Sequence, residues 1–214
     1  MLAVVFDCDG VLVDSEAAWT HALRQALTSH GVPLSQHRAG NMIGGSVPEV
    51  VSFMEQTLGH GVDADEIANE IYASVLASVE NGISAMEGAV DLVSLLEGTR
   101  PLGVASNGSL ATVHASLAGA AIPDVFDVVV ALGPTTLPKP APDLYLEACS
   151  QLGVEVSDAI AIEDSYRGAT AAKRAGMSVI GVGKASRLEE ECDFVVEHLS
   201  DIRLAKLLGI STTH

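Results

Sequence analysis

Basic residues are scarce in this chain: 11 Lys+Arg stand against 28 Asp+Glu in 214 residues, a formal net charge of -17. Such a surface repels phosphate backbones and anionic lipid, which argues against nucleic acid or a membrane as a partner. Long apolar runs are missing as well. Although 48% of the residues are hydrophobic, every apolar stretch is interrupted within about ten residues, short of the ~20 needed to cross a bilayer. The cysteines, Cys8, Cys149 and Cys192, lie far apart with no CxxC spacing. They read as small buried residues of a reducing compartment, not as a disulfide framework or a metal cluster. The N-terminus has no basic segment and Asp7 breaks the first apolar run, so it does not read as a signal peptide. A cytoplasmic protein is expected. There is no internal repeat, no low-complexity tract and no HxxxH pairing among the histidines.

What is present is a set of short apolar runs alternating with helical patterns. "LAVVF" (2–6), "LGVAS" (102–106), "DVVVA" (127–131), "AIAI" (159–162), "VIGV" (179–182) and "FVV" (194–196) are brief and rich in Val and Ile, as strands buried on both faces are. Between them lie "GAVDLVSLLEG", "SLATVHASLAGA", "PDLYLEACSQLG" and "YRGATAAKRAG", several closing on glycine as helices often do. This alternation predicts an α/β fold, a parallel sheet with helices on both faces. Residues 15–83 break the rhythm. "EAAWTHALRQALTSHG", "VPEVVSFMEQTLG" and "ADEIANEIYASVLASV" are all helical, so an all-helical insertion is expected there. The core is then 1–14 and 84–214, with hinges at 10–15 and 80–88.

The charge that is present collects at strand ends. "VVFDCDGVLVDSE" (4–16) passes from a buried strand into Asp7, Asp9, Asp14 and Glu16. In an open parallel sheet, ligands bind beyond the carboxyl ends of the strands. Ser106 with Asn107, Lys139, and Glu163 with Asp164 follow strands in the same way. Carboxylates forced together repel, and at least one takes a proton unless a cation compensates. Magnesium suits hard oxygens and commonly uses one or two carboxylates plus a substrate phosphate. Asp7, Asp164, Glu163 and a main-chain carbonyl near Asp9 are the expected metal set. Lys139 would neutralise a bound anion, and Ser106 and Asn107 would donate to its oxygens. The rim suits a phosphate group. Asp14 reads as a turn or cap residue, and Asp143, between two prolines and a helix, as an N-cap.

"DCDGV" (7–11), "SNG" (106–108), "KPAPD" (139–143) and "EDSYRGATAAKRAG" (163–176) resemble, in order, the four motifs of the haloacid dehalogenase superfamily, in its phosphatase and beta-phosphoglucomutase-like branch. The resemblance spans the core from Val4 to about Gly183. It implies a Rossmann-like core, a helical cap between the first two motifs, a magnesium ion and an aspartyl-phosphate intermediate. Carried over to these positions, it makes Asp7 the nucleophile and Asp9 first a general acid and then a base. Asp164 becomes a magnesium ligand with Glu163 as a further ligand or its support, and Ser106, Asn107 and Lys139 hold the phosphoryl group.

The cap is expected to choose the substrate, with Trp19, Gly45 and Ser46 as its candidates for facing it. Its basic residues are Arg24 and Arg38 alone. Beta-phosphoglucomutases carry a histidine near the position of Trp19 and an arginine where this chain has Val47, and a mutase must hold a bisphosphate in two orientations. The expected activity is therefore hydrolysis of a small phosphate monoester, by a monomer. A phosphomutase is the alternative. A catalytically silent binding module on the same fold is the third reading, but it would normally have lost the nucleophile.

Overall fold

In a computed structural model the described residues are 2–32, 46–59, 63–184 and 187–209. Strand β1 (Ala3–Phe6) lies inside a parallel sheet, and its side chains alternate between two cores. Val4 and Phe6 join Leu102, Val104, Ile160 and Ile162 on one face, while Ala3 and Val5 join Ala105, Ala159 and Ala161 on the other. Two-residue periodicity thus becomes two buried faces.

Two very short strands follow later in the chain, β2 (Val13–Asp14) and β3 (Ser84–Ala85), and pair antiparallel with each other. Between them lie helices α1 (Glu16–Ser29), α2 (Val47–Leu58) and α3 (Ala64–Glu80). These three bury an apolar cluster of their own, with Leu23, Leu27, Val50, Met54, Ile67 and Ile71. The expected hinge segments 10–15 and 80–88 therefore meet as a two-stranded ribbon. The pairing itself was not legible, because two residues are too short for a periodic signal.

The remaining elements are α4 (Ala89–Leu96), β4 (Leu102–Ser106), α5 (Leu110–Gly119), β5 (Val128–Ala131), α6 (Asp143–Leu152), β6 (Ala159–Glu163), α7 (Tyr166–Ala175), β7 (Ser178–Val182), α8 (Leu188–Glu191), β8 (Phe194–Val196) and α9 (Ile202–Leu207). The sheet order is β5-β4-β1-β6-β7-β8, with every neighbouring pair parallel. The α/β expectation holds, and each of the six strands lies within one residue of its predicted bounds. Helices α4, α5 and α9 cover the face of Phe6, and α6, α7 and α8 cover the other.

One local expectation is corrected. Pro142 is the N-cap of α6, and Asp143 is the first helical residue, whose Oδ1 accepts the Leu137 amide at 3.2 Å. The helix starts one residue early because the Pro142 carbonyl already accepts the Tyr145 and Leu146 amides. Cys8 and Cys149 are buried and Cys192 half-buried, all as free thiols. Among the described residues, no helix is long and apolar enough to cross a membrane.

Candidate active site

Phe6 pairs with Val104 on one side and Ile162 on the other, so the ends of β1, β4 and β6 stand level. Asp7, Ser106 and Glu163 therefore emerge side by side. Lys139 comes from the loop beyond β5, held by its amide, which donates to Asn107 Oδ1 at 2.8 Å. After Asp9 the chain turns at Gly10, whose φ is +84°. A Cβ there would lie 2.2 Å from Asp164 Oδ2. Glycine is required both for the left-handed backbone and for the close approach of Asp164.

Lys139 is 3% exposed and organises the floor of the site. Its Nζ donates to Asp7 Oδ1 at 2.5 Å, Glu163 Oε1 at 2.6 Å and the Ala105 carbonyl at 2.8 Å, with the Tyr145 hydroxyl at 3.2 Å. Tyr145 donates to the same Glu163 oxygen at 2.7 Å. Burial pushes the Tyr145 phenol well up, and the adjacent Glu163 adds to this, so it keeps the proton it donates. Glu163 Oε2 accepts from Ser165 Oγ at 3.1 Å and from the Ser165 amide at 3.3 Å. Both oxygens of Glu163 are thus engaged, and its side chain is wholly buried behind Lys139. Ser165 also caps α7 through the Gly168 amide. At Gly168 a Cβ would fall 1.8 Å from Glu163 Oε1, so only glycine lets α7 pack this close.

Asp9 is held differently. Its Oδ1 accepts from Ser15 Oγ at 2.6 Å and Trp19 Nε1 at 2.7 Å, and its Oδ2 from Ser106 Oγ at 3.2 Å. Trp19, a candidate for touching substrate, therefore spends its indole N–H on Asp9 while its ring meets Tyr72 edge-on at 6.2 Å. Ser106 is fully buried with its hydroxyl on Asp9, and it accepts the Gly108 amide at 3.0 Å.

The charges do not balance within the protein. Asp7, Glu163 and Asp164 offer oxygens within 4.8 Å of one another, and against these three carboxylates stands the single Lys139 ammonium. Burial works against the Lys139 charge, but Asp7 and Glu163 outweigh it and hold its pKa well above the usual range. The deficit falls on the carboxylates. Burial drives Asp7 well up, with Lys139 opposing and Glu163, Asp164 and Asp9 adding to the rise. Asp164 is pushed up to about 7, by burial first and then by Glu163. With Asp9 beside them the carboxylates outnumber the one ammonium by three, and a divalent cation would offset most of that excess. Oxygen donors with that surplus fit magnesium.

Asp7, Asp9, Asn107, Lys139 and Asp164 open into one cavity of about 450 Å³, which Trp19, Leu23, Ser46 and Val47 also line. Ser46 is the N-cap of α2 in a reciprocal capping box with Glu49. Gly45 lies outside the described residues. Asp14 is no cap: it sits in β2, exposed, at the wall of the cavity.

The family described as haloacid dehalogenase-like hydrolase matches residues 4–182. This chain belongs to it. It is 30% identical to a validoxylamine A 7'-phosphate phosphatase of Streptomyces hygroscopicus subsp. limoneus over 203 residues, covering 93% of this chain and 94% of that protein. It is also 30% identical to a beta-phosphoglucomutase of Bacillus subtilis (strain 168), covering 97% and 94%. The structure superimposes on that of CbbY from Rhodobacter sphaeroides, solved in complex with phosphate, with a TM-score of 0.81 at 25% identity, covering 94% and 96%.

Sequence reasoning missed three groups in this hydrolase. Tyr145 looked like one more apolar residue of α6, and nothing in its spacing marks the hydroxyl. Ser15 was hidden by the acidic residues around it. Glu49, which accepts from Arg167 Nη2 at 2.6 Å, left a signal: serine at 46 and glutamate at 49 form a capping box pattern. Partial burial opposes ionisation of Glu49, but the hydrogen bonds from Arg167 and Ser46 prevail and hold its pKa below the usual range.

Proposed function

We propose that this hydrolase is a phosphatase that cleaves a small phosphate monoester, of the sugar or polyol kind, through an aspartyl-phosphate on Asp7. A cytoplasmic, monomeric enzyme is part of this reading, as is the division into a core of 1–14 and 84–214 and a cap of 15–83. Asp7 attacks phosphorus, and the ester P–O bond breaks as the Asp7 O–P bond forms. Asp9 gives its proton to the leaving oxygen. It then takes one from the water that attacks the aspartyl-phosphate, which releases inorganic phosphate and restores Asp7. Oδ2 of Asp9 suits this exchange. Its partner Ser106 is a hydroxyl and can change from donor to acceptor, whereas the Trp19 N–H on Oδ1 can only donate.

Lys139 orients Asp7 and reduces its repulsion toward the incoming anion, and Glu163 and Tyr145 keep Lys139 in place. Asp7, Asp164 and the main-chain carbonyl of Asp9 would hold magnesium, with Glu163 reserved for Lys139. Bound there, the ion supplies positive charge for the phosphoryl oxygens.

One observation favours hydrolysis over phosphomutation. Every cation lining the cavity among the described residues is already paired with a carboxylate: Lys139 with Asp7 and Glu163, Arg167 with Glu49, and Lys184 with Glu197 at 3.2 Å. None is left for the far phosphate of a bisphosphate. The aspartyl-phosphate should meet water before a sugar phosphate can reorient. The test incubates the protein with magnesium and a panel of phosphate monoesters, then with beta-glucose 1-phosphate plus a trace of the 1,6-bisphosphate. Phosphate release without glucose 6-phosphate is the expected result; rapid isomerisation with little free phosphate would establish the mutase instead.

A further inference from the structure

Arg167 is the one arginine among the described residues that lines the cavity. It belongs to α7 in the core, yet its Nη2 reaches across to Glu49 of α2 at 2.6 Å, while also donating to the Lys139 carbonyl at 3.0 Å. The second oxygen of Glu49 accepts from the Ser46 amide at 2.9 Å and from Ser46 Oγ at 3.0 Å. A guanidinium and a hydroxyl from two residues that line the cavity, with a main-chain amide, thus converge on one carboxylate behind that lining. These are the donors that proteins use to hold phosphate or carboxylate groups. Here the anion they hold is part of the chain.

We propose that Glu49 is a specificity-determining residue: it occupies the donors that would otherwise bind a second anionic group, and so restricts the cavity to esters with one phosphate and an uncharged remainder. This rests on the phosphatase reading and deepens it by naming the substrate class. A second phosphate reaching Ser46 and Arg167 would come up against the Glu49 carboxylate bound to both, and would have to displace a partner that is tethered and always present. The hydroxyls of a sugar or polyol meet no such penalty. They find polar neighbours elsewhere in the lining, in Thr20, Asp14 and Glu16. The Arg167 and Glu49 side chains are 41% and 37% exposed, and ion pairs that open to solvent add little to folding. Recognition is the property this pair can control.

The test uses Glu49→Gln, which keeps an amide oxygen for the capping box but removes the charge. Glucose 6-phosphate and glucose 1,6-bisphosphate are titrated calorimetrically, with magnesium, into an Asp7→Asn background that prevents turnover. Glu49→Gln should raise the ratio of bisphosphate to monophosphate affinity by about 10-fold or more, the worth of one freed charge-assisted hydrogen bond. Adding Arg167→Gln should cancel that gain. A ratio that Glu49→Gln leaves unchanged, including a parallel fall of both affinities from a purely structural effect, overturns the proposal. So does a gain that survives the loss of Arg167. If the wild-type enzyme hydrolyses no monoester, the phosphatase reading fails by itself, and the binding ratio still decides the role of Glu49.

Discussion

Replacing Tyr145 with phenylalanine removes one oxygen from the floor of the site and nothing else. That oxygen is fully buried, 2.7 Å from Glu163 Oε1 and 3.2 Å from Lys139 Nζ. A hydrogen bond to a charged acceptor is worth about 1.5–3 kcal/mol net. Glu163 Oε1 keeps its contact with Lys139 at 2.6 Å and Oε2 keeps Ser165, so the carboxylate is weakened but not orphaned. The lower half of the range applies, about 2 kcal/mol. For a chain of this size each kcal/mol moves the melting midpoint by roughly 2–4 °C, giving a fall of about 4–8 °C by calorimetry or circular dichroism. Activity should survive, because Tyr145 does not line the cavity and the 2.5 Å contact between Lys139 and Asp7 remains. A variant that melts with the wild type would refute the described network. One that keeps its stability but loses turnover would assign Tyr145 to the chemistry instead of to its support.

Two more predictions follow from the same floor. Gly168→Ala drives a methyl group into a Glu163 side chain that Lys139, Tyr145 and Ser165 hold fast. It should cost about 1–3 kcal/mol, and a wild-type melting curve would contradict the close approach of α7. Asp164 is raised from 3.8 to about 7 by burial and Glu163, so in the metal-free protein its contribution to stability is complete below pH 3.8 and disappears as pH rises through about 7. Magnesium needs the deprotonated carboxylate. The thermal shift produced by added magnesium should therefore grow from pH 5 to pH 8, and a shift independent of pH, or none, would count against this metal site.

Most of the architecture was legible because it depends on short-range pattern. Residues 2–6 and 102–106 alternate or run apolar as buried strands do, and Gly153 and Gly176 stop helices in the left-handed conformation glycine favours. Placing Asp7, Ser106, Lys139 and Glu163 on one rim then needed only the assumption that the strands are parallel. The helical character of 16–29, 47–58 and 64–80 was equally plain.

What each polar atom does was decided only by tertiary structure, since hydrogen-bond partners are fixed by distances between elements remote in sequence. Lys139 lies 132 positions from Asp7, and Arg167 lies 118 from Glu49. No local period constrains either pair. Glu163 stood beside Asp164 as a potential metal ligand, yet strand β6 turns its side chain into the interior, where Lys139 and Tyr145 take its oxygens. Trp19 was read as a group facing substrate; it does line the cavity, but only the packing of α1 shows that its N–H is given to Asp9. The sequence by itself determined which chemical groups reach the rim, because strand ends and turns are local. The packing of α1, α2, α6 and α7 around them determined which groups remain free to act, because a buried donor or acceptor takes whatever partner the neighbouring element brings within reach.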